Sequence, residues 1–201
     1  WAHAFQSGPY LDALRESVKV AAVACVLATV LGAMVALAIT RYKMKGGAFI
    51  NMMLVVPLTT PEIVMGASLL TLFLAINFQT GFWTIVIAHI TFDISYVVTT
   101  VRARLVGFDR HLEEAAMDLY ASSWTTFWRV TFPLIFPGIA AAALLAFSLS
   151  IDDFVITNFT AGKTQTFPMF IYAKNRIGVP VQVNVIGTAI FLVAVGSVAI
   201  T

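Results

Sequence analysis

Glu62, His89, Asp93, Asp152 and Asp153 are the residues of this chain best placed to do chemistry, because each stands inside or at the end of an otherwise apolar run. An ionisable side chain inside a membrane-spanning helix costs roughly 2.5–3.5 kcal/mol on insertion scales, which makes it a functional candidate by default. Four carboxylates and one histidine, with no Lys or Arg inside the spans, point to a cationic solute. Glu62 follows Pro57 and Pro61, which weaken the local helix ladder and free carbonyls toward a cavity. His89 and Asp93 stand at i and i+4, within reach of each other. They form either a structural pair that holds helices together or, with Glu62, a proton relay. Asp152 and Asp153 close a run, where water reaches them. They are expected at the mouth of a path in which Glu62 lies deeper.

Other chemistries are excluded by spacing. Gly162-Lys163-Thr164 has the ending of a phosphate-binding loop, but Thr157 stands where the motif needs its first glycine. No catalytic triad and no metal-ligand spacing is present. The single Cys25 lies in an apolar run, so an internal disulfide is impossible and a small buried side chain is expected.

The elements that must position these residues follow from composition. Hydrophobic residues make up 60% of the 201 and charged residues 11%, with a mean hydropathy of +0.91. A soluble domain carries about a quarter charged residues, so the bilayer is the solvent here. A formal charge of +2 is too small to imply a nucleic-acid partner. A spanning helix needs about 20 apolar residues. Runs of that kind fall at about 20–40, 49–76, 82–101, 133–151 and 183–201. The chain starts at Trp1 without a Met and ends at Thr201 inside an apolar run, so both ends read as trimmed from a longer protein. The predicted fold is all-α: one polytopic transmembrane bundle over 1–201, since open strands cannot satisfy their backbone in lipid. Ala24, Ala28, Gly32 and Ala36 recur every four positions, a spacing that lets another helix approach closely.

The one long polar interval is 102–132. It carries Arg102, Arg104, Arg110 and Arg129 with His111, Asp109, Glu113, Glu114 and Asp118. Asp109 is a plausible N-cap for a helix running to about Leu119. Leu112, Ala115, Ala116 and Leu119 share one face of it, and Glu113, Glu114 and Asp118 lie off that face. Ser122 or Ser123 caps a second short helix with Trp124, Phe127 and Trp128 on one side, and Pro133 suits the start of the next span. The interval therefore reads as a helix-turn-helix on the membrane surface. Arg41, Lys43 and Lys45 fall on its side of the bilayer with its four Arg, seven against five on the other, which makes that side cytoplasmic.

The interval resembles the EAA loop of ABC-importer permeases, the element that meets the ATPase. That pattern runs Glu-Ala-Ala, three residues, Gly, nine residues, an aliphatic, one residue, Leu, Pro. Glu114-Ala115-Ala116 opens it, Val130 fills the aliphatic place, Phe132 the Leu place, and Pro133 closes it. Tyr120 stands in place of Gly. A bulky residue at positive φ is an outlier, so Tyr120 is expected to avoid that region and its neighbours Ala121 and Ser122 to take the strain of the turn.

Pro61-Glu62-Ile63-Val64-Met65, Gly107-Phe108-Asp109, 148–157, 167–172 and Gly178-Val179-Pro180 also look like the second permease subunit of spermidine/putrescine ABC importers. The resemblance implies a type I ABC-importer permease fold of six spans, one of them lost before Trp1, in a bacterial inner membrane. It implies a partner permease, two ATPase subunits and an extracytoplasmic solute-binding protein. ATP and Mg would be held by the ATPase and no cofactor by this chain. Glu113, Glu114, Ala115, Ala116, Asp118, Tyr120 and Pro133 would couple to that ATPase. Glu62, Asp93, Asp152 and Asp153 would line the path of a polyamine or another small solute. A rival of another class is a proton-coupled secondary transporter built on Glu62, His89 and Asp93.

Overall fold

A computed structural model describes residues 8–42 and 46–175, with 184, 185, 187–189 and 192. The helices in chain order are α1 (Pro9–Arg41), α2 (Gly47–Thr59), α3 (Glu62–Ala75), α4 (Phe82–Val106), α5 (His111–Asp118), α6 (Ser123–Thr126), α7 (Phe132–Asp152), α8 (Val155–Thr160) and α9 (Phe167–Asn175). No strand occurs among the described residues. Three helices there are long and apolar enough to cross a membrane: α1, α4 and the continuous Ser123–Asp152. The span expected over 183–201 lies, apart from the few positions just given, outside the described residues.

Two expected spans differ from the sequence reading, and in both prolines are the cause. The run over 49–76 is not one helix. It breaks between Thr59 and Glu62, and α2 and α3 meet at 110°. Pro61 cannot donate to α2, and it forces the residue before it out of the helical region; Thr60 has ψ 131°. The span expected at 133–151 starts ten residues earlier, because α6 runs through a π-helical turn, Phe127–Thr131, into α7. Pro133 has no N–H for the Arg129 carbonyl and its ring crowds that carbonyl. The wider π turn just before it takes up the misfit.

Helices α1, α4 and α7 form the core, with Ala33, Ala36, Val97, Val98, Val101, Ile135, Ala142 and Ala146 buried between them. The predicted small-residue stripe is the α1 side of this contact: Ala24, Ala28, Gly32 and Ala36 are all buried. At Gly32 a Cβ would lie 2.5 Å from Val97 Cγ1, so the absence of a side chain sets how closely α1 and α4 pack. Cys25 behaves as the small buried residue expected, its thiol donating to the Ala143 carbonyl at 3.1 Å. The outer faces stay apolar, with Val26, Val30, Met34, Phe49, Met52, Ile63 and Leu74 exposed, as lipid or a second helical chain requires. Helices α1 and α4 run parallel and pack directly on each other, and α7 returns antiparallel against both. α5 and α6 thus sit at the end marked by Arg41 and Val106, and α8 and α9 toward the other.

Gly32→Ala is expected to cost about 1–3 kcal/mol by overpacking. Gly47→Ala is the control, since a Cβ there meets nothing within 4 Å. A lowered midpoint of thermal unfolding in detergent for the first variant but not the second is the expected result; equal midpoints would contradict it.

Candidate functional site

The two helix breaks meet. Beside the α2–α3 break, the chain leaves α7 at Asp152, turns through Asp153 and Phe154, and continues as α8 along α4. Between the breaks lies a cleft of about 530 Å³, at the level of Phe92 and Tyr96 halfway along α4. Glu62, Asp152 and Asp153 line it with Pro57, Thr60, Pro61, Met65, Leu149 and Phe154, and among the described residues no Lys or Arg does. The C-terminal ends of α2 and α7 both reach it. Their free carbonyls add negative partial charge to that of the carboxylates.

Each carboxylate has a local reason for its place. Glu62 opens the first turn of α3, where a negative charge suits the helix end. Asp153 precedes the N-cap Phe154 of α8 and receives the first amides of that helix, accepting at Oδ2 from the Thr157 N–H at 2.7 Å and at Oδ1 from the Ile156 N–H at 3.4 Å. Asp152 is exposed on the last residue of α7. The expectation that Asp152 and Asp153 form a wet outer mouth, with Glu62 deeper, is corrected: Asp153 has a side chain only 6% exposed, and all three share one cleft. The run ends at Asp152 because the helix breaks there; α8 carries the chain on to Thr160, whose carbonyl accepts from Thr84 Oγ1 at 2.7 Å.

The expected His89–Asp93 pair is also corrected. His89 lies between Ser150 Oγ, 2.6 Å from Nδ1, and Thr157 Oγ1, 2.9 Å from Nε2, with Asp153 Oδ2 at 3.4 Å from Nε2. The ring serves the carboxylate of the break rather than the one on its own helix. Asp93 is fully buried, is not among the residues lining the cleft, and its carboxylate oxygens have no hydrogen-bond partner among the described residues. Sequence reasoning passed over Phe92, Tyr96, Ser150 and Thr157, which look like ordinary span residues until the breaks bring them to the cleft or to His89.

At the opposite end, α5 and α6 make a compact platform. Asp109 is not the N-cap, a place Arg110 takes. Its Oδ1 instead accepts from the His111 N–H at 3.0 Å and pairs with His111 Nδ1 at 2.7 Å. The hydrogen bonds to His111 hold the Asp109 carboxyl below its ordinary range, and that carboxylate raises His111. The platform is tied to α1 from within. Arg41 and Thr131 both donate to Glu113 Oε1, and Arg110 Nη2 donates to the Thr40 carbonyl at 3.1 Å. Glu113 is therefore buried, although expected off the apolar face, and Leu112 and Leu119, expected to share that apolar face, are exposed. Glu114, Ala115 and Asp118 face outward, Ala116 is half-buried and Pro133 is exposed. The second helix follows the sequence reading: Ser122 Oγ accepts from the Thr125 N–H at 3.3 Å, and Trp124, Phe127 and Trp128 pack ring against ring.

Tyr120 overturns its expectation. It has φ 60°. The Tyr120 N–H reaches Met117 O at 2.9 Å and the Ala121 N–H reaches Ala116 O at 3.1 Å, the pair of bonds that closes a helix with a left-handed residue just beyond it. These two bonds offset a strain of about 1–2 kcal/mol, and the side chain, 99% exposed, meets no crowding. The backbone keeps the glycine conformation although the residue is not glycine.

Residues 28–201 match the family model described as "Binding-protein-dependent transport system inner membrane component". The chain is 39% identical over 185 residues to the spermidine/putrescine transport system permease protein PotC of Escherichia coli (strain K12), covering 92% of this chain and 70% of that one. It is 35% identical over 198 residues to the PotC of Haemophilus influenzae, covering 98% and 77%. It is 39% identical over 197 residues to the putrescine transport system permease protein PotI of Escherichia coli (strain K12), covering 94% and 69%. A solved bacterial ABC transporter involved in the import of the acidic polysaccharide alginate matches in fold, with TM-score 0.72 and 15% identity over 98% of this chain and 78% of that one.

Glu113→Ala leaves the Arg41 guanidinium without its carboxylate, at an expected cost of about 1–3 kcal/mol. Limited proteolysis should then cut within 107–122 at a higher rate than in Glu114→Ala, which removes an outward-facing charge. Equal rates would contradict the inward clamp.

Proposed function

The chain belongs to the family of binding-protein-dependent transport system inner membrane components, and from that premise we propose that it forms half of the translocation pathway for a small organic cation of the polyamine class. The family is one of transport permeases. The observation that carries the solute class is the convergence of Glu62, Asp152 and Asp153 on one cleft with two helix C-termini and, among the described residues, no lining Lys or Arg. A linear polyamine presents ammonium groups separated by methylene runs. Separated carboxylates and the apolar walls supplied by Met65, Phe92 and Leu149 match both parts. The names carried by the two PotC relatives and PotI support the same class.

The likeness extends to the rest of the machine. A second permease would complete the pathway, an extracytoplasmic binding protein would deliver the solute, and two ATPase subunits holding ATP and Mg would drive alternating access. The α5–α6 platform is the docking element on the cytoplasmic side, through Glu114, Ala115, Asp118, Tyr120 and the exposed Leu112 and Leu119. Glu113 acts there by holding the platform to α1 rather than by touching the ATPase. The secondary-transporter reading loses its relay, since no hydrogen bond among the described residues joins Glu62, His89 and Asp93.

Two substitutions test the two halves of this reading. Glu62→Gln keeps the shape and removes the charge, so the transporter should assemble normally while vesicle uptake of putrescine and spermidine falls several-fold. Full uptake in an intact assembly would remove Glu62 from the path. Glu114→Lys reverses an outward charge on the platform; ATP hydrolysis should persist while solute uptake is lost, and wild-type uptake would count against docking at this face.

A further inference from the structure

A directional chain of hydrogen bonds runs behind the cleft. Thr157 Oγ1 donates to Asp153 Oδ2 at 2.7 Å, which leaves its lone pairs for the His89 ring at 2.9 Å. The His89 proton therefore belongs on Nε2, and Nδ1 is left to accept from Ser150 Oγ at 2.6 Å. The sequence is Ser150 to His89 to Thr157 to Asp153, joining α7, α4 and α8. Oδ2 of Asp153 is fully engaged by the Thr157 hydroxyl and N–H. Oδ1 has only the long contact from the Ile156 N–H, so it is the oxygen left for the cleft. His89 is 1% exposed and does not line the cleft. Burying an imidazole among three helices is costly unless both nitrogens are satisfied, and here both are satisfied by groups on the wall that holds Asp153.

We infer that His89 is a positioning residue for the Asp153 carboxylate, fixing through Thr157 which oxygen is offered to a solute ammonium group. The inference rests on the cleft being the solute path. Without the ring, Thr157 Oγ1 loses its donor from behind and is free to change rotamer, and Asp153 loses its hydroxyl partner. Solute affinity then falls, while the maximal rate and the assembly stay close to wild type.

The test uses the complete transporter in vesicles, with putrescine and spermidine as solutes and the half-saturating concentration as the readout. His89→Leu should raise that concentration roughly tenfold, the scale of loss when a group orienting a ligand is removed. His89→Gln, whose amide nitrogen falls near the Nε2 position, should restore most of it. The double variant with Asp153→Asn should be no worse than Asp153→Asn alone, because His89 acts only through that carboxylate. An unchanged half-saturation in His89→Leu, or an equal further loss in the Asp153→Asn background, would overturn the inference and leave His89 a packing residue. An Asp153→Asn transporter with full uptake would defeat the cleft reading itself, and the inference with it. Should His89→Leu not assemble, Thr157→Val cuts the same chain one link later at the same volume and is held to the same two outcomes.

Discussion

Backbone groups freed inside a membrane must find partners, because lipid supplies none. This chain frees them at two places, between Thr59 and Glu62 and between Asp152 and Val155, and the rest of the site depends on how they are satisfied. Thr60 Oγ1 donates back to the Val56 carbonyl at 2.6 Å, and Asp153 receives the first amides of α8. The C-terminal ends of α2 and α7 both border the cleft between the breaks. An apolar bundle thus acquires a cleft lined by carboxylates halfway along α4, and irregular backbone at membrane depth is tolerated where it lines such a cavity. Glu62 and Asp153 stand at the starts of α3 and α8, where carboxylates also balance the positive helix ends.

One element connects that chamber to the platform. The helix from Ser123 to Asp152 begins beside α5 and ends on the cleft carboxylates. Near its start, Thr131 shares Glu113 with Arg41, so α5, α1 and this helix are tied at one point. Near its far end, Ser150 bonds His89, which ties the same helix to α4 and α8. Within the alternating-access reading proposed above, this helix joins the platform to the cleft as one continuous element. The π turn at Phe127–Thr131 interrupts the regular ladder of this helix, and Pro137, which has no N–H, removes a further bond from it.

Much of this architecture was legible in the sequence. The small-residue stripe of α1, the Ser122 cap and the aromatic cluster of the second loop helix all follow from spacing, because each is a local pattern with a local cause. Pro57 and Pro61 marked a weakened ladder but not a 110° bend, since prolines release hydrogen bonds without fixing where the chain goes next. The partner of His89 was invisible for a related reason. An i, i+4 neighbour is always near in sequence, whereas Ser150 and Thr157 come close only once α7 and α8 pack on α4. Glu113 was misread because its binding partner, Arg41, lies at the end of another helix, and hydrophobic periodicity assigns any carboxylate to water. Tyr120 shows the opposite limit: the side chain argued against positive φ, and the two bonds closing α5 outweighed it.

The central claim is that a cation crosses between the two helix breaks. Photolabelling of the intact transporter with a photoreactive diamine, followed by peptide mapping, measures this most directly. The account predicts adducts within 57–65 and 149–156 that excess putrescine suppresses. Suppressible adducts confined to other segments, with both of these unlabelled, would contradict it.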